Sequence, residues 1–353
     1  MRKFLHRILI ALPVFLAIHP WISVSGQDAH FSQFYATPLQ VNPAMTGVFD
    51  GKFRLSNSYR NQWSSLGKGY STLHISADAP VAKGFLGNNF FGIGLLVYQD
   101  KAGEAGYRNT IVEASGSYIA ALDDNGDHFF SMGFQGGLNQ ESIDISKSTW
   151  DDQWNGDHFD PGIPSMENIQ LQQFSYLDFN AGFLYYYVPD INNSLSFGAS
   201  MSHIGSPNIS FFKDGKDPLH RKISTTGSAD ISLTKDNLAW LEPRYMVTFQ
   251  GKQKEILAGG YFKSKMQFKS KYTNYKKEAY FYIGGFFRMN DAAIVSARVE
   301  YNTLSLGLSY DINMSNLSTL SGGNNAFEIT LAFTSYVKRG QRAKHFNKMP
   351  RFL

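Results

Sequence analysis

The 353-residue chain contains no cysteine. That excludes a disulfide framework, a thiol nucleophile and an acylated N-terminal cysteine. Long apolar runs are missing too. No later segment holds about 18 consecutive apolar residues, so no membrane-spanning helix is predicted. Charge is scarce, at 18% of residues, against roughly 25% in soluble domains. Aromatic and small residues are plentiful, with 29 Phe, 19 Tyr and 32 Gly.

The first residues carry an export signal. Arg2, Lys3 and Arg7 precede the apolar run Ile8–Ile18, and the small residues Ser23, Ser25 and Gly26 follow. This order is that of a secretory signal peptide, with cleavage expected near Gly26 and Gln27 as the new N-terminus. The apolar run is only 11 residues long, short of the roughly 20 that a spanning helix needs. An exported, aromatic- and glycine-rich chain without such a helix points to an outer-membrane β-barrel.

The formal net charge is +4. Loss of the three basic signal residues leaves +1, and the tail from Lys338 holds six Lys/Arg and no acid, so the rest carries −5. A nucleic-acid partner is not expected, because the basic residues form no stripe through the body. One Lys-rich stretch, Lys252–Lys277, is assigned to a solvated loop or to strand ends at the lipid headgroups.

The dominant period is two. Leu195, Phe197, Ala199 and Met201 alternate with serines and a glycine, and Leu304, Leu306, Leu308, Tyr310 and Ile312 do the same. Alternation over about 10 residues predicts strands with one apolar and one polar face. About fourteen such segments are predicted, near Phe53–Asn61, Gly69–Ala79, Phe90–Gln99, Arg108–Leu122, His128–Asn139, Ser175–Val188 and Ser194–Ile204. They continue near Lys222–Leu233, Ala239–Gln250, Glu255–Phe262, Ala279–Met289, Ala292–Tyr301, Leu304–Ile312 and Ala326–Val337. The expected architecture is an all-β, antiparallel transmembrane barrel over 50–337, after a signal peptide 1–26 and an N-terminal plug or lead-in 27–49, with a basic periplasmic tail 338–353. An even strand number places both termini in the periplasm. The long connections Gln140–Phe174 and Gly205–Arg221 then fall outside, and turns such as Asp123–Asp127 and Pro189–Asn193 inside. Lys263–Lys277 fits least, since parity makes it periplasmic and it is not short.

Face assignment gives the lumen charges Arg54, Arg60, Arg244, Arg298, Asp78, Glu113, Asp178, Asp230, Glu242, Glu300, Asp311 and Glu328. On the lipid face such a charge costs roughly 2–4 kcal/mol at mid-bilayer, so the lumen takes them. Their expected role is a cross-linked network or, alternatively, a conduction path. The alternation is expected to scatter acids round the barrel rather than to pair them. No enzymatic motif is present, neither Gly-x-Ser-x-Gly nor His-Glu-x-x-His, so no catalytic residues are assigned. The loop Trp150–Gly162 places Asp151, Gln153 and Asn155 like a calcium loop. Gln153 and Gly162 fail the pattern, and no metal or cofactor is expected.

The segment Gln27–Gly47 is polar and aromatic with two prolines. Phe31, Phe34 and Tyr35 are costly to leave in water, and Pro38 and Pro43 bar a regular strand interior or helix. With Gln33 and Asn42, these residues are expected to pack in the barrel or across its periplasmic mouth. Trp150, Trp154 and Phe159 are candidate partner anchors on the long loop.

Four stretches in order resemble one family. They are HFSQFYATPLQVNPAMTG at His30–Gly47, SNSYRNQW at Ser56–Trp63, the loop with Trp150, Asp160, Pro161, Pro164 and Glu167 running into LDFNAGFLYYY at Leu177–Tyr187, and GLSYDINMSNLSTLSGGNNAFEITLAF at Gly307–Phe333. The chain resembles the PorP/SprF family, outer-membrane proteins of the type IX secretion system. The closing MPRFL is similar to a common family ending, with Met349 where relatives often have cysteine. The resemblance implies a non-enzymatic barrel in contact with outer-membrane lipid. Some members link that membrane to periplasmic secretion components. Others serve the export or surface attachment of one partner, often a gliding adhesin with a type B sorting domain. By alternation alone, a solute-conducting porin or fatty-acid-type transporter is the alternative, and an outer-membrane hydrolase a remote one.

Overall fold

The computed structural model describes residues 28–63, 69–86, 88–103, 106–144, 150–160, 162–163, 171–190, 192–267, 277–314 and 324–335. The expected signal peptide, its cleavage point and the basic tail lie outside them.

Fourteen strands form the wall: β1 (Arg54–Gln62), β2 (Tyr70–Leu86), β3 (Asn89–Ala102), β4 (Tyr107–Ala121), β5 (His128–Ser142), β6 (Gln173–Tyr187), β7 (Ser194–Ser202), β8 (Lys222–Ser232), β9 (Ala239–Gln250), β10 (Gln253–Gln267), β11 (Ala279–Arg288), β12 (Ala292–Tyr301), β13 (Leu304–Asn313) and β14 (Asn324–Thr334). Each pairs antiparallel with its neighbours, and β1 pairs with β14 from Arg54↔Thr334 to Gln62↔Ala326, which closes the barrel. Closure leaves no strand edge unpaired, a requirement in lipid. The outer face follows the alternation. On β13, Leu304, Leu306, Leu308, Tyr310 and Ile312 are exposed while Ser305, Ser309 and Asp311 are buried.

All connections between even-numbered strands and their successors lie at one end of the barrel, and those after odd-numbered strands at the other. The second end carries the long connections 143–172 and 203–221. Two strands outrun expectation. β2 continues past Pro80 to Leu86, and β10 passes Phe262 to Gln267. The second extension corrects the reading of the Lys-rich stretch. Lys263 is not solvated; its ammonium is buried 5.0, 4.9 and 5.2 Å from the ring centres of Trp240, Tyr280 and Tyr282, and 3.4 Å from Glu242. Lys265 pairs with Glu278 at 3.0 Å. Alternation within one strand turns both lysines inward, so the expected loop begins only after Gln267. Residues 268–276 of that connection lie outside the described residues.

Candidate functional site

Eight-stranded barrels are filled by their own side chains, whereas barrels of about 16 strands leave a channel. Fourteen strands therefore enclose more space than inward side chains alone fill. Residues 28–49 run through this space. The segment begins at the long-loop end, where Asp28 meets His203, Lys222 and Gln250 beyond or at the ends of β7, β8 and β9. It ends at the short-turn end, where the Phe49 ring lies 4.7 Å from the Arg54 guanidinium at the start of β1. Strand parity had placed both termini at one end. The segment doubles back through the lumen, so the described N-terminal end lies at the other.

The segment is built from single turns. Pro38 opens a one-turn helix, α1 (Pro38–Val41), because a first-turn residue needs no N–H partner. The expectation that both prolines exclude helix is corrected at this point. Asn42 ends α1 and caps the next turn, Pro43–Met45, its Oδ1 accepting from Ala44 N at 2.9 Å. Such short turns satisfy their backbone only in part, and the barrel wall supplies the rest. Asn42 Nδ2 donates to the Phe183 and Ala199 carbonyls at 2.9 and 3.3 Å. The Ser131 and Ser117 hydroxyls donate to the Ala44 and Thr46 carbonyls at 2.7 and 2.6 Å. Gly47 N donates to Asp78 at 2.8 Å.

Aromatic packing adds to this. Phe31, Phe34, Ala36, Leu39, Ala44 and Val48 are buried. Tyr35 stacks on Phe286 at 5.8 Å and its hydroxyl makes a short hydrogen bond to the Tyr261 hydroxyl. Phe31 meets His74 and Tyr98 edge-on at 6.0 and 6.5 Å. Each large apolar side chain so buried contributes about 1.5–3 kcal/mol. The lumen face opposite is itself apolar, with Leu257, Tyr261, Tyr282, Phe286 and Ile294. There the rule of polar residues inward gives way, because that face meets a packed segment and not water.

The inward charges form local clusters. Arg54 donates from Nε and Nη2 to the two oxygens of Asp78 at 2.9 and 2.8 Å. Arg60 pairs with Asp311 at 3.0 Å and Glu328 at 3.3 Å. Arg244 pairs with Glu242 at 2.9 Å. Arg298 lies 3.6 Å from Glu242 and 3.8 Å from the Tyr282 ring centre. Glu300 accepts from Tyr282 at 2.5 Å, Asp230 from Ser194 at 2.7 Å and Glu113 from Asn180 at 3.0 Å. Asp178 lies 2.5 Å from His203 Nδ1.

Arg288, Glu255 and Lys263 join these clusters without having been singled out. Alternation on β11 and β10 is a signal for the first two. Arg288 lies 3.2 Å from Asp311 and 3.7 Å from Glu255. His30 approaches Glu255 at 3.2 Å. It stays neutral there, because burial, then Arg288 and Arg60, hold its pKa well below the usual imidazole range. At the long-loop end, burial opposes the charge on His203. The Asp28 carboxylate and the hydrogen bonds that His203 donates to Asp178 and Asp28 outweigh it and raise the pKa to about 9. Burial likewise opposes ionisation of Asp28, but Lys222 and His203 hold its pKa well below the usual carboxylate value.

One cluster joins the segment to four strands, β1, β11, β13 and β14. The backbone N–H groups of Ser32 and Gln33 donate to the two Glu328 carboxylate oxygens at 2.8 and 2.9 Å. The Ser32 hydroxyl donates to Asp311 and accepts from Arg60 at 2.5 Å and Arg288 at 2.7 Å. Three of the stretches that resembled a family, His30–Gly47, Ser56–Trp63 and Gly307–Phe333, meet at this point.

On the long loop, Trp154 and Phe159 pack edge-on at 5.1 Å and remain 50% and 43% exposed. Trp150 is half-buried and its N–H donates to Gln153 Oε1 at 3.0 Å. Gln153 also donates to the Ile163 carbonyl at 2.9 Å, so it braces the loop.

The family model described as "Type IX secretion system membrane protein PorP/SprF" matches residues 23–333. The chain belongs to the PorP/SprF family. Its neighbours among solved structures include the Pseudomonas putida toluene transporter TodX, at 10% identity and TM-score 0.48 over 88% of this chain and 98% of that one. A TodX deletion mutant matches at 11% identity and TM-score 0.47, over 83% and 92%. BamA from Haemophilus ducreyi lacking POTRA domains 1–3 matches at 10% and 0.42, over 81% and 70%. No curated protein matches the chain. This PorP/SprF protein is a membrane component of type IX secretion, and its closed barrel places it in the outer membrane.

Proposed function

We propose that this PorP/SprF protein is a non-enzymatic scaffold that supports export or surface attachment of a partner bearing a type IX sorting domain. The long-loop end faces outward and receives the partner. The basic tail 338–353 contacts periplasmic components of the machinery. The observation that carries this reading is the lumen occupied by residues 28–49, bonded to β1, β5–β7, β13 and β14. An open diffusion pore needs its bore clear, whereas a scaffold gains rigidity from a packed one. The exposed pair Trp154 and Phe159 supplies an aromatic anchor of the kind interfaces favour. The test is co-purification from native membranes with residues 150–163 intact or replaced by a Gly/Ser linker. Loss of a sorting-domain protein with the replaced loop supports the reading. An unchanged set of partners overturns it.

A further inference from the structure

At the long-loop end, a cavity of about 320 Å³ lies between the segment, the strands β3–β8 and the loop 203–221. Asp217, Pro218 and His220 at its rim are exposed, while Asp100, Glu113, Glu141 and Asn139 on its wall are at most 8% exposed. Its volume falls at the lower end of the roughly 300–1,000 Å³ that holds small ligands.

The charges here do not balance. Asp28 and Asp178 share His203 and Lys222. Asp100, Glu113 and Glu141 have only neutral donors: Thr72 at 2.6 Å, Asn180 at 3.0 Å, and Tyr107 and Tyr176 at 3.1 and 2.9 Å. No basic side chain among the described residues pairs with any of the three. An uncompensated buried carboxylate is costly, and either a proton or a cation relieves it. The acids were expected to scatter. They line one cavity because β3, β4 and β5 are neighbours that each turn one inward toward the same barrel end.

A second observation is independent of charge. Asn139 is 1% exposed and lines the cavity; neither its Oδ1 nor its Nδ2 has a partner of good hydrogen-bond geometry, and the hydroxyl of the neighbouring Tyr176 donates to Glu141 instead at 2.9 Å. A buried amide with both ends free is rare. Among the described residues no three acids or histidines converge as a metal set. Separated carboxylates beside the apolar Leu96 and Ile111 suit an ammonium on an alkyl stem better than a bare metal ion.

We propose that this cavity binds an alkylammonium ligand, whose charge is met by Glu113, Glu141 and Asp100 and whose donors reach Asn139. The inference rests on the cavity alone and stands apart from the scaffold reading. Two sources share the chemistry, a free diamine and a lysine side chain of a polypeptide.

The test is calorimetric titration of the purified full-length protein in detergent, its fold checked by heat-modifiable gel mobility. The probes are 1,5-diaminopentane, Nα-acetyl-lysine methylamide, a lysine-containing hexapeptide and, as uncharged control, pentanol. The expected result is saturable binding of the ammonium compounds and none of pentanol. Glu113→Gln with Glu141→Gln is expected to weaken binding at least tenfold, as is Asn139→Leu, while Asp157→Asn in the exposed loop leaves it unchanged. Tighter binding of the hexapeptide assigns the site to a polypeptide; tighter binding of the diamine assigns it to a free amine. No saturable binding, undiminished affinity in both variants, or displacement of the amine by calcium overturns the proposal.

Discussion

Gly133 of β5 stands where the backbone of Ala44 passes. A Cβ there would lie 2.3 Å from the Ala44 nitrogen and as close to the Pro43 carbonyl carbon. Backbone on both sides cannot yield as a side-chain tip would. Gly92, Gly182, Gly198 and Gly307, all inward, leave similar room for Thr46, Asn42 and Gln33.

Gly133→Val is therefore expected to push the segment off the wall and to cost about 1–3 kcal/mol or more by overpacking. Gly116→Ala, whose nearest neighbour is 4.0 Å away, is expected to change stability by less than about 0.5 kcal/mol. Thermal unfolding of the two variants, followed by gel mobility, checks the contrast.

Removing residues 30–47 takes the segment out of the bore without touching the strand ladder. Purified wild-type protein is expected to hold a planar bilayer at baseline. The deletion variant is expected to give steady ion conductance. Equal conductance of the two would show that the segment seals nothing.

Arg60→Met leaves Asp311 and Glu328 buried with Arg288 as the remaining nearby cation. Breaking a buried pair in this way costs about 3–5 kcal/mol. Glu328→Gln in the same background is expected to recover part of the loss, because it removes the stranded charge. Urea unfolding of the single and double variants measures the coupling.

The Asp28–His203 contact gives a pH window. The His203 pKa is raised to about 9 in the fold, above the ordinary 6.5 of a histidine. Its contribution is complete below the unfolded value and is lost as pH rises through about 9. Asp28 has the opposite sign: its contribution is present above its ordinary pKa and is lost in acid. The anchor is thus firm near neutrality. The unfolding free energy is expected to fall between about pH 6.5 and 9, by an amount on the order of 3 kcal/mol in all, and His203→Gln is expected to flatten that fall.

Trp154→Ala with Phe159→Ala removes an exposed ring pair that supports only its own loop. Stability is expected to change little, and recovery of the co-purified partner at least tenfold.

The strands were legible because period-two alternation directly expresses a wall with lipid outside. The same rule found Arg60, Asp311 and Glu328. Carried through β10 and β11, it also marks Glu255 and Arg288. Lys263 lies one residue past Phe262, the expected end of its strand, and His203 one residue beyond β7, so the alternation marks neither. The path of residues 28–49 was not legible, since single turns leave no period. Its trace was in the wall instead, as the inward glycines that stand where backbone passes.

A thread through a closed ring also ties the two ends of the ladder together. β1 follows the segment directly, and its partner β14 is the last of the fourteen strands in the chain. The seam Arg54–Gln62 with Ala326–Thr334 encircles residues 28–49, so the segment braces the closure from within. A tag fused ahead of Asp28 would therefore join the chain beside the long loops, at the far end of the bore from the start of β1.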